Sequence, residues 1–213
     1  MAVAVLFSAG KDSALAARLL EPFYDVVACH CTFGLSREPR GANRQRVAPA
    51  DVARDAAAAL AVPFATVDLD EAVAREAVEA MVADGYPRAG IQRVHEHALE
   101  TVAGRTTVDG VPVATVADGT RRDDRVPAIE RSFARSLEDR HGVAYVRPLA
   151  GYGRGAVDAL ADRLLTVETG PSERLATADY ETELRALLAA EHGPETVDDV
   201  FPVHTQSRVT GWR

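Results

Sequence analysis

Lysine is almost missing. Of the 24 basic residues in this 213-residue chain only Lys11 is a lysine, and the others are arginine. Aromatic residues make up 6% of the chain, which argues against an extended base-stacking platform. Cysteine occurs twice, at Cys29 and Cys31. Two thiols fall short of a four-ligand zinc or iron–sulfur centre. Two apart on a strand they point the same way, which argues against an ordinary structural disulfide and for reduced, buried thiols. No apolar run approaches the roughly 20 residues a membrane helix needs. The opening MAVAVLF is short and lacks a basic lead, unlike a secretory signal. These absences predict a cytoplasmic protein with no membrane partner.

What is present is an ordinary globular composition, 47% hydrophobic and 26% charged. Acidic residues number 32, for a net charge of −8. A surface of Asp, Glu and Arg suggests a GC-rich, salt-adapted, halophile-like source, in which net acidity does not exclude a nucleic-acid partner.

Apolar runs and helical periodicities alternate. Strands are predicted at Val3–Phe7, Tyr24–Phe33, Phe64–Leu69, Val111–Ala117 and Val143–Leu149. Helices are predicted after Phe7 and at Asp51–Ala61, Glu71–Ala83, Ala89–Val102, Ile129–Asp139 and Ala156–Leu165. Asp12 or Ser13 is the expected cap of the first. This alternation implies a doubly wound α/β fold of Rossmann type, with a five-stranded, mainly parallel sheet and helices on both faces. Such an α/β domain is expected over residues 1–168. Residues 169–213 read as a C-terminal helical appendage (Asp179–Ala190) and an irregular tail, VFPVHTQSRVTGWR. Polar groups there, among them Glu183, His204 and Ser207, either close over a site or belong to a solvated helix and a frayed end.

Ligands of such sheets sit beyond the carboxyl ends of the strands, at the strand-order switch. The turn after the first strand reads Ser8-Ala9-Gly10-Lys11-Asp12-Ser13. Free N–H groups and the dipole at a helix start favour an anion, Gly10 permits close approach, and the hydroxyls and Lys11 add donors and charge. A phosphate cradle and a plain connector are both compatible with this turn. After the fourth strand comes Asp118-Gly119-Thr120-Arg121-Arg122-Asp123-Asp124. Arg121, Arg122 and Arg125, with the loop arginines Arg37, Arg40, Arg44 and Arg46, are expected to ring the same mouth and to capture an anionic substrate or to solubilise loops. His95-Glu96-His97 lacks metal-ligand spacing and reads as an exposed helix face.

SAGKDS resembles the S-G-G-x-D-S signature of the PP-loop ATP pyrophosphatases, with Ala9 at the first glycine. DGTRRDD is similar to that family's G-x-N-x-x-D stretch, with Arg121 where asparagine is usual, and Arg147-Pro148-Leu149 resembles its R-P-L. The resemblance implies ATP and Mg²⁺ as cofactors. It implies pyrophosphate held by Ser8, Ala9, Gly10, Lys11, Asp12 and Ser13 together with Gly119 and Thr120. It places adenine near Thr32, Phe33 and Gly34, and Mg²⁺ on Asp12 with Asp123 or Asp124. Asp12, Lys11, Arg121 and Arg122 are then the catalytic candidates. The implied activity is adenylation of a substrate with release of pyrophosphate, then amidation or thiolation, in nucleoside or tRNA modification. An RNA substrate would need the arginine rim or a partner protein for RNA or nitrogen and sulfur delivery, and a homodimer is compatible. An amide-forming ligase on a small carboxylate and a non-catalytic ATP- or AMP-binding regulatory module are the alternatives.

Overall fold

The structure, a computed structural model, describes residues 1–35, 48–172 and 174–213. Arg37, Arg40, Arg44 and Arg46 lie outside the described residues. The elements run β1 (Ala2–Leu6), α1 (Lys11–Leu20), β2 (Asp25–Thr32), α2 (Pro49–Ala59), β3 (Phe64–Asp68), α3 (Glu71–Asp84), α4 (Arg88–Ala103), β4 (Thr107–Val108) and β5 (Val111–Ala117). They continue as α5 (Arg131–His141), β6 (Ala144–Val146), α6 (Arg154–Leu164), β7 (Leu165–Pro171), α7 (Tyr180–His192), α8 (Pro194–Val200) and β8 (Thr205–Trp212).

Strand pairing gives a parallel sheet in the order β3-β2-β1-β5-β6, with short β4 antiparallel to the start of β5. The order reverses between β1 and β5, which places the loops after both strands at the switch point. Every residue of β1 is buried, as a central strand covered on both faces requires. Val3, Val5 and Phe7 pack with α1, α2, α6 and the β7–β8 ribbon. Ala4 and Leu6 alternate to the opposite face, against α3, α4, α5, α7 and α8. Cys29 and Cys31 share that second face and are free thiols, as their spacing predicts. Gly85 adopts φ 62°, the left-handed value that ends α3 at the expected break. No helix among the described residues is long and apolar enough to cross a membrane.

Two expectations are corrected. Gly10 is the N-cap of α1, with no side-chain capping bond, and Asp12 and Ser13 fall inside the first turn. The tail is not irregular: Thr205–Trp212 forms β8, antiparallel to β7. Only Val209 of that strand is fully buried, so no alternation betrays it in the sequence. Its partner β7 follows α6 without an intervening residue and runs through position 168.

Candidate functional site

The turn after β1 is built around one hydroxyl. Ser13 Oγ donates to the Gly10 carbonyl at 3.0 Å and accepts from the Ser8 N–H at 3.3 Å. Ser8 Oγ lies 3.4 Å away. Ala9 sits at φ 59°, so the position that is glycine in the resembling signature is left-handed here, with a methyl group accommodated in the core. Strand β8 finishes the turn. The Val209 N–H donates to the Ala9 carbonyl at 2.8 Å, and the Lys11 N–H donates to Ser207 Oγ at 3.2 Å. The N–H groups of Asp12 and Ser13, also in the first turn, have no intrahelical acceptor.

Around this turn the charges interlock. Lys11 Nζ pairs with Asp12 at 2.6 Å and with Asp158 of α6 at 3.1 Å. The Arg121 guanidinium is 11% exposed and meets Asp124 through Nε at 3.0 Å, Asp12 at 3.5 Å and Asp123 at 3.9 Å. The Arg121 N–H also donates to Asp124 at 2.7 Å. Asp123 accepts the Arg154 N–H at 2.9 Å, and this bond holds its carboxyl below the usual carboxylate range. The expected Mg²⁺ carboxylates therefore converge, but on a guanidinium. Among the described residues, the group of ligand atoms close enough to share an ion is Glu79, Glu191 and His192, on α3 and α7. As placed, Asp12, Asp123 and Asp124 do not bring three ligand atoms within reach of one shared ion.

Asp118, at the end of β5, is 1% exposed. One oxygen accepts from the Thr120 N–H at 2.9 Å and hydroxyl at 2.6 Å. The other accepts from His95 Nε2 at 2.9 Å and the Tyr145 hydroxyl at 2.6 Å. Burial alone raises the carboxyl, but the bonds from His95, Thr120 and Tyr145 outweigh it and hold Asp118 below the usual range. Burial and the Asp118 charge push the Tyr145 hydroxyl far up, so it remains a donor. This network fixes the Gly119 backbone against α1.

His95 is therefore not on an exposed face, as its neighbours in sequence suggested, but is 8% exposed beside the cavity. The signal was its spacing: Ala98 and Leu99, three and four residues on, are buried on the same stripe. Glu183 of α7 is the second residue whose role the sequence left open. Its buried carboxylate accepts from the Thr32 hydroxyl at 2.9 Å and from the N–H groups of Phe33 at 2.9 Å and Leu35 at 3.0 Å. At the edge where the resemblance places adenine, Glu183 thus occupies the Thr32 hydroxyl and the Phe33 N–H, while Gly34 is exposed.

Two hollows meet at Ser8 and Asp12. The first, ≈ 760 Å³, is lined by Ser13, His95, Asp118, Gly119 and Thr120, with Tyr86, Arg88 and Arg125 among its other residues. Cys29 and Cys31 also border it. Burial raises Cys29 to about 12 and Cys31 further, so both thiols are protonated at neutral pH. The second hollow, ≈ 700 Å³, holds Gly10, Lys11, Arg121, Asp158 and Ser207. Asp179 borders both, and burial with the nearby Glu181 raises its carboxyl to about 6. Arg122 is exposed and donates its N–H to the Tyr152 carbonyl at 3.0 Å.

Fold and site together define a doubly wound parallel α/β protein with a cleft at its strand-order switch. The chain belongs to the family of unknown function DUF7411, whose pattern matches residues 1–211. It is 34% identical over 212 residues to an uncharacterised protein of Methanocaldococcus jannaschii, covering 99% of this chain and 96% of the relative. It is also similar to the crystal structure of a predicted subunit of tRNA methyltransferase from Methanocaldococcus jannaschii, with a TM-score of 0.83 and 32% identity. That match covers 100% of this chain and 98% of the other.

Proposed function

We propose that this protein binds ATP across the Ser8–Ser13 turn and adenylates a substrate in RNA modification. The observation that carries the reading is the turn itself. Ser8 and Asp12 border both hollows, Ser13, Gly119 and Thr120 line the first and Gly10 and Lys11 the second, at a helix start whose N–H groups favour an anion. In the reaction, a substrate oxygen attacks the α-phosphorus and the bond to the bridging oxygen breaks, releasing pyrophosphate. A nitrogen or sulfur nucleophile then displaces AMP. Lys11 and Arg121 supply fixed positive charge to the departing pyrophosphate. The protonated, buried thiols support a nucleophile brought from outside over sulfur carried on Cys29 or Cys31.

RNA is the favoured substrate class for two reasons. The similar Methanocaldococcus jannaschii protein is a predicted subunit of tRNA methyltransferase, which favours tRNA and a partner protein. In addition, Tyr86 is 54% exposed at the mouth of the first hollow beside the exposed Arg88 and Arg125. An exposed aromatic ring and two exposed arginines lining one hollow suit a single unpaired base and its phosphates. Incubation with ATP and cellular tRNA is expected to give AMP and pyrophosphate, and ADP alone, or no product with any RNA, would refute the reading.

A second reading has support in Glu183 and Ser207. One occupies the Phe33 N–H and the other the Lys11 N–H, as in a nucleotide-binding module without turnover. Tight ATP binding with no AMP formed under any condition would select it.

A further inference from the structure

We infer that Arg121 is the built-in cation of this site, so that the polyphosphate of the nucleotide is recognised by a fixed guanidinium and not by a protein-held divalent ion. The inference rests on the nucleotide reading above and specifies its charge chemistry. Three carboxylates from two segments, Asp12 in α1 and Asp123 and Asp124 after β5, surround this one side chain. Each is of the type that holds Mg²⁺. A divalent ion among them would stand beside a guanidinium that cannot lose its proton, and the two would compete for the same oxygens.

The guanidinium is also placed to serve. Asp124 grips both its Nε and Nη2, and its own backbone N–H is tied to the same carboxylate. The side chain is therefore ordered before a ligand arrives, which lowers the entropy lost on binding. Among the described residues Nη1 donates to none. Arg121 borders the second hollow with Ser8, Gly10 and Lys11, where terminal phosphates would lie if the nucleotide spans the turn. Its fork geometry suits two oxygens of a phosphate. An asparagine at this position, usual in the signature the chain resembles, would leave Asp123 and Asp124 without this cation and Asp12 with Lys11 alone.

The test is calorimetric titration with ATP, and separately with inorganic pyrophosphate, in excess EDTA and in excess Mg²⁺. Wild-type affinity for ATP is expected to differ by no more than about threefold between the two buffers. Arg121→Asn is expected to weaken binding in EDTA by at least about tenfold, the scale of one charge-assisted bond, and to recover in Mg²⁺. ATP binding by the wild type that requires Mg²⁺ would overturn the inference and leave the nucleotide reading standing. So would an Arg121→Asn variant that binds as tightly as wild type in EDTA. No ATP binding in either buffer would overturn both. If Arg121→Asn does not fold, by circular dichroism, the wild-type comparison decides alone.

Discussion

Gly119 is where the two signature loops touch, and it offers the sharpest test of the packing at the site. A Cβ built there lies 2.8 Å from Asp12 C, 2.8 Å from Ser13 N and 2.9 Å from Asp12 O. These are backbone atoms in the first turn of α1, so no rotamer change relieves the contact. Non-bonded carbon contacts are comfortable from about 3.5 Å, so the turn must retreat by about 0.7 Å. Overpacking of this kind costs about 1–3 kcal/mol. For a chain of this size each kcal/mol lowers Tm by about 2–4 °C. The same retreat moves the Asp12 and Ser13 N–H groups, so Gly119→Ala should weaken ATP binding more than it weakens the fold. The assay pairs thermal and urea unfolding with ATP titration. Gly151→Ala is the control, because a Cβ there meets nothing within 4 Å. If Gly119→Ala melts with the control and binds ATP like wild type, the loops are not in contact and the account of the site fails.

Three further outcomes are expected. Glu183→Ala strands the Phe33 and Leu35 N–H groups and should cost roughly 2–4 kcal/mol in urea unfolding, with Glu183→Gln intermediate; a loss under about 0.5 kcal/mol would show that the β2 edge does not depend on it. Ser207→Ala removes the acceptor of the Lys11 N–H and should cost about 1 kcal/mol, as loss of a helix cap does, and an unchanged Tm would contradict that role. Burial lowers His30 from the usual 6.5 to about 4, so it stays neutral in the fold while the unfolded chain takes up a proton. Its contribution falls as pH drops through that window, by roughly 3 kcal/mol in full. His30→Leu should remove that part of the slope, whereas parallel profiles for variant and wild type would refute it; the raised Asp179 carboxyl works in the opposite sense as pH falls through about 6 and is common to both proteins.

The doubly wound core was legible because its signals are local. β1 is an unbroken apolar run, and α3 stops at Gly85, where the chain turns left-handed. The Ser8–Ser13 turn was legible for the same reason. What the sequence withheld are contacts between distant residues. Asp118 and His95 are 23 positions apart, and Glu183 reaches Phe33 across 150. No periodicity encodes such a pairing, and a glutamate on a helix reads as solvated until an opposing strand end is placed against it. β8 escaped for a related reason. It is stabilised by ladder bonds to β7 and by its bond to Ala9, and it presents almost no apolar face of its own.

The lone lysine gains a physical account from the same geometry. Lys11 Nζ lies between Asp12 of its own helix and Asp158 of α6, and so ties α1 to α6. A compact ammonium suits two separate acceptors, whereas a planar guanidinium suits the fork in which Nε and Nη2 of Arg121 both donate to one oxygen of Asp124. Asp12 is shared, at 2.6 Å from Lys11 and 3.5 Å from Arg121, and so sits between two cations before any ligand enters. Its negative charge, which would otherwise repel phosphate from the turn, is offset locally. The neighbouring first-turn N–H groups keep the electropositive end of α1 on offer to an anion. β8 belongs to the same arrangement, since its Val209 N–H bonds the carbonyl of left-handed Ala9 and its Ser207 hydroxyl accepts from the N–H of Lys11. A chain cut at the end of α6 would keep the signature residues but lose the strand that sets their backbone. The anion site is therefore a property of the sheet and the C-terminal ribbon together, and its nucleotide affinity should depend on both.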